Sequence, residues 1–219
     1  MHLTHFGHSC VLVEIDGTRI LFDPGTLSSG FEQLTDIDAI LVTHQHPDHA
    51  DVARLPALVA ANPGAQLHCD PQTAAQLAEL GTAGEWQPAH PGDQFDIGPV
   101  HVRVTGGDHA VIHPDIPIIN NAFYLLDTAA QRAAFGHPGD SLFVPDEPID
   151  VLAIPAAAPW LKISESVDYL RAVAPRVAVP IHQAVLSPPG VAIHHGRLAE
   201  MKPAPTTFVD FTDGNRVEV

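Results

Sequence analysis

The chain has 219 residues, of which 45% are hydrophobic and 16% charged, and its formal net charge is −16. The length fits one domain or two small ones with a core that needs no covalent staples, and the composition excludes a disordered chain; a single domain over residues 1–219 is expected. The acidic balance argues against nucleic acid and anionic membranes as partners, and no apolar run reaches the roughly 18 residues of a membrane span.

The opening Met1-His2-Leu3-Thr4-His5 has neither a basic nor a long apolar stretch, so no export signal and a cytoplasmic protein are expected. Cys10-Val11-Leu12-Val13-Glu14-Ile15 reads as a strand, Asp16-Gly17 as a hairpin turn, and Thr18–Phe22 as the returning strand. Ala39–Val42 is a short apolar run of a buried strand, leading directly into Thr43-His44. The segment from about 49 to 61 reads as a helix stopped by Asn62-Pro63-Gly64. A strand over Gln66–Cys69 follows, then a helix from Pro71 to Leu80 with Asp70 as its cap. Val100, Val102 and Val104 mark one face of a strand ending at Gly106-Gly107. Further strands are expected over 118–126, 151–154 and 177–179. A helix capped by Ser164 should run to about Ala174, with a short helix near 197–202 and a strand near 207–211. Strands followed by helices suggest an α/β fold of sheets covered by helices.

Cys10 and Cys69 are the only cysteines, which points to free thiols and not to a disulfide scaffold. The 15 histidines outnumber the 10 Lys and Arg and are scattered along the chain, a composition that favours metal binding. Their densest group is Thr43-His44-Gln45-His46-Pro47-Asp48-His49, with four ligand-type side chains directly after a buried strand. Imidazole and carboxylate suit zinc, iron or manganese. His44 and His46, two apart, point to one side of an extended loop, while Asp48 and His49 at a helix start can face a second position. A histidine-rich turn without metal is the alternative, but four such side chains cost stability and no local backbone role explains them all.

His44-x-His46-x-Asp48-His49 resembles the H-x-H-x-D-H signature of the metallo-β-lactamase superfamily. The likeness continues in order along the chain: Asp23 in Phe22-Asp23-Pro24-Gly25, His109 in Gly106-Gly107-Asp108-His109, Asp140 in Gly139-Asp140-Ser141, and His182 in Pro180-Ile181-His182. The resemblance implies an αβ/βα four-layer sandwich with metals at one edge of two facing sheets. It implies two divalent metal ions, zinc first, with manganese or iron as the alternatives. His44, His46 and His109 would hold one; Asp48, His49 and His182 the other; Asp140 would bridge them. A hydroxide shared between the ions would be the nucleophile. Asp48 would also accept a proton, and Asp23 would orient a ligand.

Other residues stay open at this point. His113 could replace His109, though the Gly-Gly approach favours His109. His137 reads as a loop histidine. His8 either lines the pocket or is an ordinary histidine outside it. Trp160 is either a substrate wall or buried packing, and His194-His195 reads as solvated. Lys162 and Arg103 are either anion anchors or surface charge. No substrate-contacting residue is assigned.

The absence of an export signal and of a cysteine at position 140 argues against the secreted β-lactamases. Only 37 residues follow His182, too few for the helical substrate domain of glyoxalase II. There is neither room nor basic charge for the arms of RNA-processing relatives, and the glutamate ligand and flavin domain of the flavodiiron reductases are missing. What remains resembles the compact group that includes ascorbate-6-phosphate lactonase, in Gly7-His8-Ser9 and in the Asp16-Gly17 hairpin. The implied function is hydrolysis of a small ester, lactone or phosphoester. The alternatives are a nucleotide phosphodiesterase or nuclease, and a metal-binding module without turnover.

Overall fold

In the computed structural model, which describes residues 1–82, 84–212 and 214–219, the Asp16-Gly17 pair closes the expected hairpin. Both residues have positive φ, 48° and 78°, as a tight turn between twisted strands requires. The turn joins β2 (Val11–Ile15) to β3 (Thr18–Phe22), with β1 (His2–His5) antiparallel on the other side of β2. Then follow β4 (Ala39–Val42), α1 (Leu55–Ala61), β5 (Gln66–Cys69), α2 (Pro71–Glu79) and β6 (Gln87–Pro88). From β3 to β6 the pairing is parallel.

The second half repeats this plan. β7 (Gln94–Ile97), β8 (Val100–Asp108), β9 (Asn120–Asp127) and β10 (Phe135–His137) pair antiparallel. β11 (Val151–Pro155), α3 (Ile163–Val173), β12 (Val177–Ile181), α4 (Pro188–Met201) and β13 (Thr207–Phe208) continue it, with β10 to β13 parallel. β14 (Val217–Glu218) returns to the first half beside β1. Among the described residues the strands form two seven-stranded sheets, ordered β14-β1-β2-β3-β4-β5-β6 and β13-β12-β11-β10-β9-β8-β7.

The period of two along each strand sets the layers. Val11, Val13, Ile20, Phe22 and Leu41 of the first sheet share one core with Val102, Val104, Tyr124, Val151 and Val179 of the second. The alternate residues face outward. Leu12, Leu21 and Ile40 pack on Leu58 of α1, and Val42 and Cys69 on Leu77 of α2. Leu152, Ile154 and Ala178 pack on Val167 and Leu170 of α3 and Leu198 of α4. Helix, sheet, sheet and helix make the expected αβ/βα four-layer sandwich. No helix among the described residues is long and apolar enough to cross a membrane.

Several boundaries differ from expectation. α1 begins at Leu55, not near 49, because Asp51 draws the amides of Ala53 and Arg54 to its carboxylate and holds residues 51–54 in a turn. Asp48 and His49 therefore lie in a loop before the helix. β8 runs through Gly106-Gly107 to Asp108, paired all along with β9. α3 is capped at Lys162, whose amide donates to Glu165 at 2.8 Å, two residues before Ser164. α4 spans 14 residues from Pro188, where a short helix near 197–202 was expected; Ser187 caps it and the proline pair fills its first turn. The strand near 207–211 is only Thr207–Phe208. β1, β6, β7, β10 and β14 were not anticipated.

Candidate metal centre

Most of the candidate residues follow the C-terminal ends of parallel strands, where α/β folds place ligands. Asp23 follows β3, His44 follows β4, Asp140 lies three residues beyond β10, and His182 follows β12; His109 follows the antiparallel β8. The two halves are laced together here. The amide of His182 donates to the His8 carbonyl at 2.9 Å, and that of Ala122 to the Thr43 carbonyl at 2.8 Å. Tyr124 Oη donates to the Val42 carbonyl at 3.1 Å. His8, Asp23 and His182 all have left-handed backbone, with φ of 53°, 44° and 66°. Such non-glycine geometry costs about 1–3 kcal/mol per residue and tends to mark functional sites.

Two groups of side chains converge. Ligand-type atoms of His44, His46, His109 and Asp140 lie within 4.8 Å of one another, as do those of His8, Asp48, His49 and His182. Asp140 faces both groups. Its Oδ1 is 3.1 Å from His49 Nε2 and 3.0 Å from His182 Nε2, and its Oδ2 is 3.3 Å from His109 Nε2. Asp48 Oδ2 sits 3.0 Å from His8 Nε2 and 3.6 Å from His182 Nε2.

The residues fit cations by a test of hydrogen bonding. Nδ1 of His49 lies 2.7 Å from Asp23 Oδ2, Nδ1 of His109 lies 2.6 Å from the Ala110 carbonyl, and Nδ1 of His182 lies 2.6 Å from the Ala157 carbonyl. Those acceptors place the proton on Nδ1 and leave the Nε2 lone pair turned inward. Thr43 Oγ1 donates to Asp23 Oδ2 at 2.8 Å and sits 3.0 Å from His44 Nδ1, so it can accept from that ring and fix His44 likewise. The inward atoms, Nε2 of His49, His109 and His182 and Oδ1 of Asp140, are buried without any hydrogen-bond partner. Buried polar atoms are rarely left so. Lone pairs aimed at one point, with carboxylates between them, are what a cation satisfies.

The electrostatics agree. Burial resists charge on Asp140, but His49 and His182 beside it hold its carboxyl well below the usual range. Burial likewise opposes charge on Asp48, and the His8 hydrogen bond and His49 outweigh it, again lowering the pKa. Burial, with His49 and His109 as further contributors, pushes His44 well below the ordinary histidine value. His46 moves the same way through burial and His109. Burial brings His8 to about 4 against the pull of Asp48. His49 is the exception: burial opposes its charge, yet Asp140 and Asp23 raise it. Without a cation, a proton on His49 would be the counter-charge between two carboxylates.

Every residue named from the motifs lies in this centre, and Asp23 touches His49. His8 is an addition. It is fully buried and its ring lies tilted against that of His182 with centroids 3.8 Å apart, joining the group that sequence left at three. Trp160 is neither a bare wall nor plain packing, because its Nε1 donates to Asp140 Oδ2 at 2.7 Å. Gly-His at 7–8 was the one visible signal for the first; nothing local signalled the second. His113 is exposed and outside both groups. His137 is no loop residue: it ends β10, stacks on Phe22 and lies 3.0 Å from the Ser9 carbonyl. His195 is buried against Asp210 at 2.8 Å, and His194 is bonded to the Ala156 carbonyl, so neither is simply solvated. Arg103 is no free anchor, since Asp127 grips it with two oxygens and Glu147 takes a third contact.

The description Beta-lactamase superfamily domain matches residues 2–182, so the chain belongs to that superfamily. Fold and site together define a metal-dependent hydrolase of the metallo-β-lactamase fold. Within the superfamily it belongs to the UPF0173 metal-dependent hydrolases. A Geobacillus member is 30% identical over 211 residues, covering 83% of this chain and 85% of its own. Protein Rv0786c of Mycobacterium tuberculosis is 60% identical over 201 residues, 92% of either chain. Among solved structures, Igni18, a metallo hydrolase of Ignicoccus hospitalis, superposes with a TM-score of 0.72 at 19% identity. That match covers 100% of this chain and 98% of the other, and it speaks for the fold.

Proposed function

We propose that this chain hydrolyses a small ester, lactone or phosphoester with two divalent metal ions, zinc first and manganese or iron next. His44, His46 and His109 would hold one ion, and Asp48, His49 and His182, with His8 beside them, the other; Asp140 would bridge. The observation that carries the reading is the set of buried, unpartnered Nε2 atoms turned toward Asp140. When bound, the ions polarise the attacked group and lower the pKa of water. The side chains do the rest. Asp48 is the accessible carboxylate of the set, at 27% exposure, and it accepts a hydrogen bond from the attacking water as the new bond forms. Its depressed pKa makes it an orienting acceptor more than a lasting store for the proton. Asp23 and Thr43 fix His49 and His44, and Trp160 steadies Asp140.

The likeness of Gly7-His8-Ser9 to ascorbate-6-phosphate lactonase and its relatives supports a lactone within this substrate range. The net charge of −16 disfavours a polymeric polyanion. The test is elemental analysis together with a panel of chromogenic esters, lactones and phosphodiesters. About two metal ions per chain and turnover of a small ester are expected. Metal-replete protein that holds none, or that cleaves RNA or DNA faster than every small ester, sinks the reading.

A further inference from the structure

A small cavity of about 60 Å³ lies beside the metal centre, and most of its lining is aliphatic. His46 and His109 line it together with Ile112, Ile116, Pro117 and Ile118. These aliphatic residues belong to the loop between β8 and β9. Its outer part is unusually bare: Val111, Ile112, Ile116 and Ile118 are 56%, 38%, 47% and 54% exposed. Exposed aliphatic side chains in a cluster mark a binding surface more often than chance does. The loop is also held in shape. The His109 amide donates to the Ile119 carbonyl, the Ala110 amide to the Asp140 carbonyl and the Ile116 amide to the His113 carbonyl, while Pro114 and Pro117 stiffen it. An apolar surface fixed to the backbone of Asp140 is presented to whatever reaches the centre.

Charge narrows the choice further. Among the described residues, none of the ten Lys and Arg is bonded to a residue of the centre. Arg54, Arg103 and Arg176 are spent on carboxylates elsewhere, and Lys162, 82% exposed, faces Glu165 at 3.9 Å. The loop is flanked instead by exposed acids, Asp108 at its start and Asp115 within it. Apart from the metal ions of the reading above, an anionic substrate would meet negative rim charge and no arginine fork to grip it.

We infer that the substrate is an uncharged carboxylic ester or lactone whose apolar acyl or ring substituent lies against Ile112, Ile116 and Ile118, beside His46 and His109. The inference rests on the hydrolase reading above and narrows it away from phosphoesters. A cavity of this size takes roughly two or three carbons, since a water's share of liquid is about 30 Å³; a longer chain would run on across the exposed aliphatics.

Two measurements on the metal-loaded protein test this. One is kcat/KM for p-nitrophenyl acetate, butyrate and hexanoate against bis(p-nitrophenyl) phosphate. The other is calorimetric binding of the matching alkyl hydroxamates, which reads the cavity without turnover. Both should rise roughly two- to fourfold per methylene over the first carbons. The double variant I116S/I118S should flatten both slopes; neither side chain is core, so folding is not at stake. Equal values along both series, or faster cleavage of the phosphodiester than of every ester, overturns the inference and leaves the hydrolase reading standing. A hydroxamate slope without turnover of any substrate supports the apolar subsite and overturns the hydrolase reading. A dimer in sedimentation that the double variant dissolves, with no hydroxamate slope, makes the loop an interface between two copies and overturns the inference.

Discussion

One added methyl group at Gly25 should disable the centre while sparing the fold. A Cβ at this position would stand 1.8 Å from the Asp48 carbonyl oxygen, 2.0 Å from its carbon and 2.5 Å from the His49 nitrogen. All three are backbone atoms of the ligand loop, so no side chain can swing away. Ordinary contact begins at 3.4 Å, so the loop must retreat by about 1.6 Å, well past the roughly 0.5 Å that a catalytic constellation tolerates. Relaxation on the other side is blocked too. Arg54 grips the Gly25 and Ser28 carbonyls at 2.6 and 2.9 Å, and Thr26 and Asp51 tie residues 24–26 to the same loop. A displacement near 1 Å costs on the order of a hundredfold in rate, about 2.7 kcal/mol. Gly25→Ala should therefore lose at least about a hundredfold in turnover, together with affinity for the ion that Asp48 and His49 would hold. Overpacking should cost about 1–3 kcal/mol of stability, leaving a folded chain. Gly196→Ala is the control: nothing lies within 4 Å of its added Cβ, and in the middle of α4 the change should stabilise by about 0.5–1 kcal/mol. Elemental analysis, a urea titration and an ester assay on both variants suffice. A Gly25→Ala protein with two tightly bound ions and normal turnover would refute the reasoning.

Asp140→Ala should weaken both ions together, because one oxygen faces each group; isothermal titration that still finds two tight sites contradicts the bridge. Trp160→Phe removes a 2.7 Å donor to that carboxylate, and affinity for metal should fall roughly tenfold, given the worth of hydrogen bonds to charged groups. Chelation should lower the melting temperature yet leave the far-ultraviolet spectrum native, since the central core contains no ligand. The loss is about 4 kcal/mol if free metal stood a thousandfold above its dissociation constant. His5 supplies a pH test. Burial lowers it from 6.5 to about 4, and its Nδ1 faces the Gly7 amide while Nε2 faces the His8 carbonyl. Between those two pH values the unfolded chain binds a proton that the native chain refuses, so stability falls as pH falls through that window and is flat above it. The slope is at most about 1.4 kcal/mol per pH unit, and His5→Asn should show a shallower acid limb in denaturant titrations.

What could be read from sequence was whatever is local. The Asp16-Gly17 turn, the four-ligand run at 44–49 and the Gly-Asp-Ser turn each carry their signal within a few residues. The strands missed are those that pairing creates: β10 is only Phe135, Gly136 and His137, and exists because β9 and β11 flank it. α4 hid behind Pro188-Pro189-Gly190, residues that weaken a helix anywhere but in its first turn. α1 starts late because Asp51 and Arg54 are recruited to clamp the loop against Gly25, a tertiary demand that no periodicity records. The same holds at the centre. His8 reaches Asp48 across 40 residues and Trp160 reaches Asp140 across 20, and Arg103 is silenced by carboxylates 24 and 44 residues away.

Each of the two groups takes members from both sheets, and this sets an order of events on the ribosome. His8, His44, His46, Asp48 and His49 emerge first, while His109, Asp140 and His182 are still to be made. Up to β6 the nascent chain holds two of the four members of one group and three of the four of the other, and lacks the carboxylate that faces both. Neither group is complete until the second sheet has docked on the first. A chain stalled or cut between the halves is a histidine-bearing fragment with neither group closed, and on the function proposed above a full complement of metal would certify that the two sheets have met.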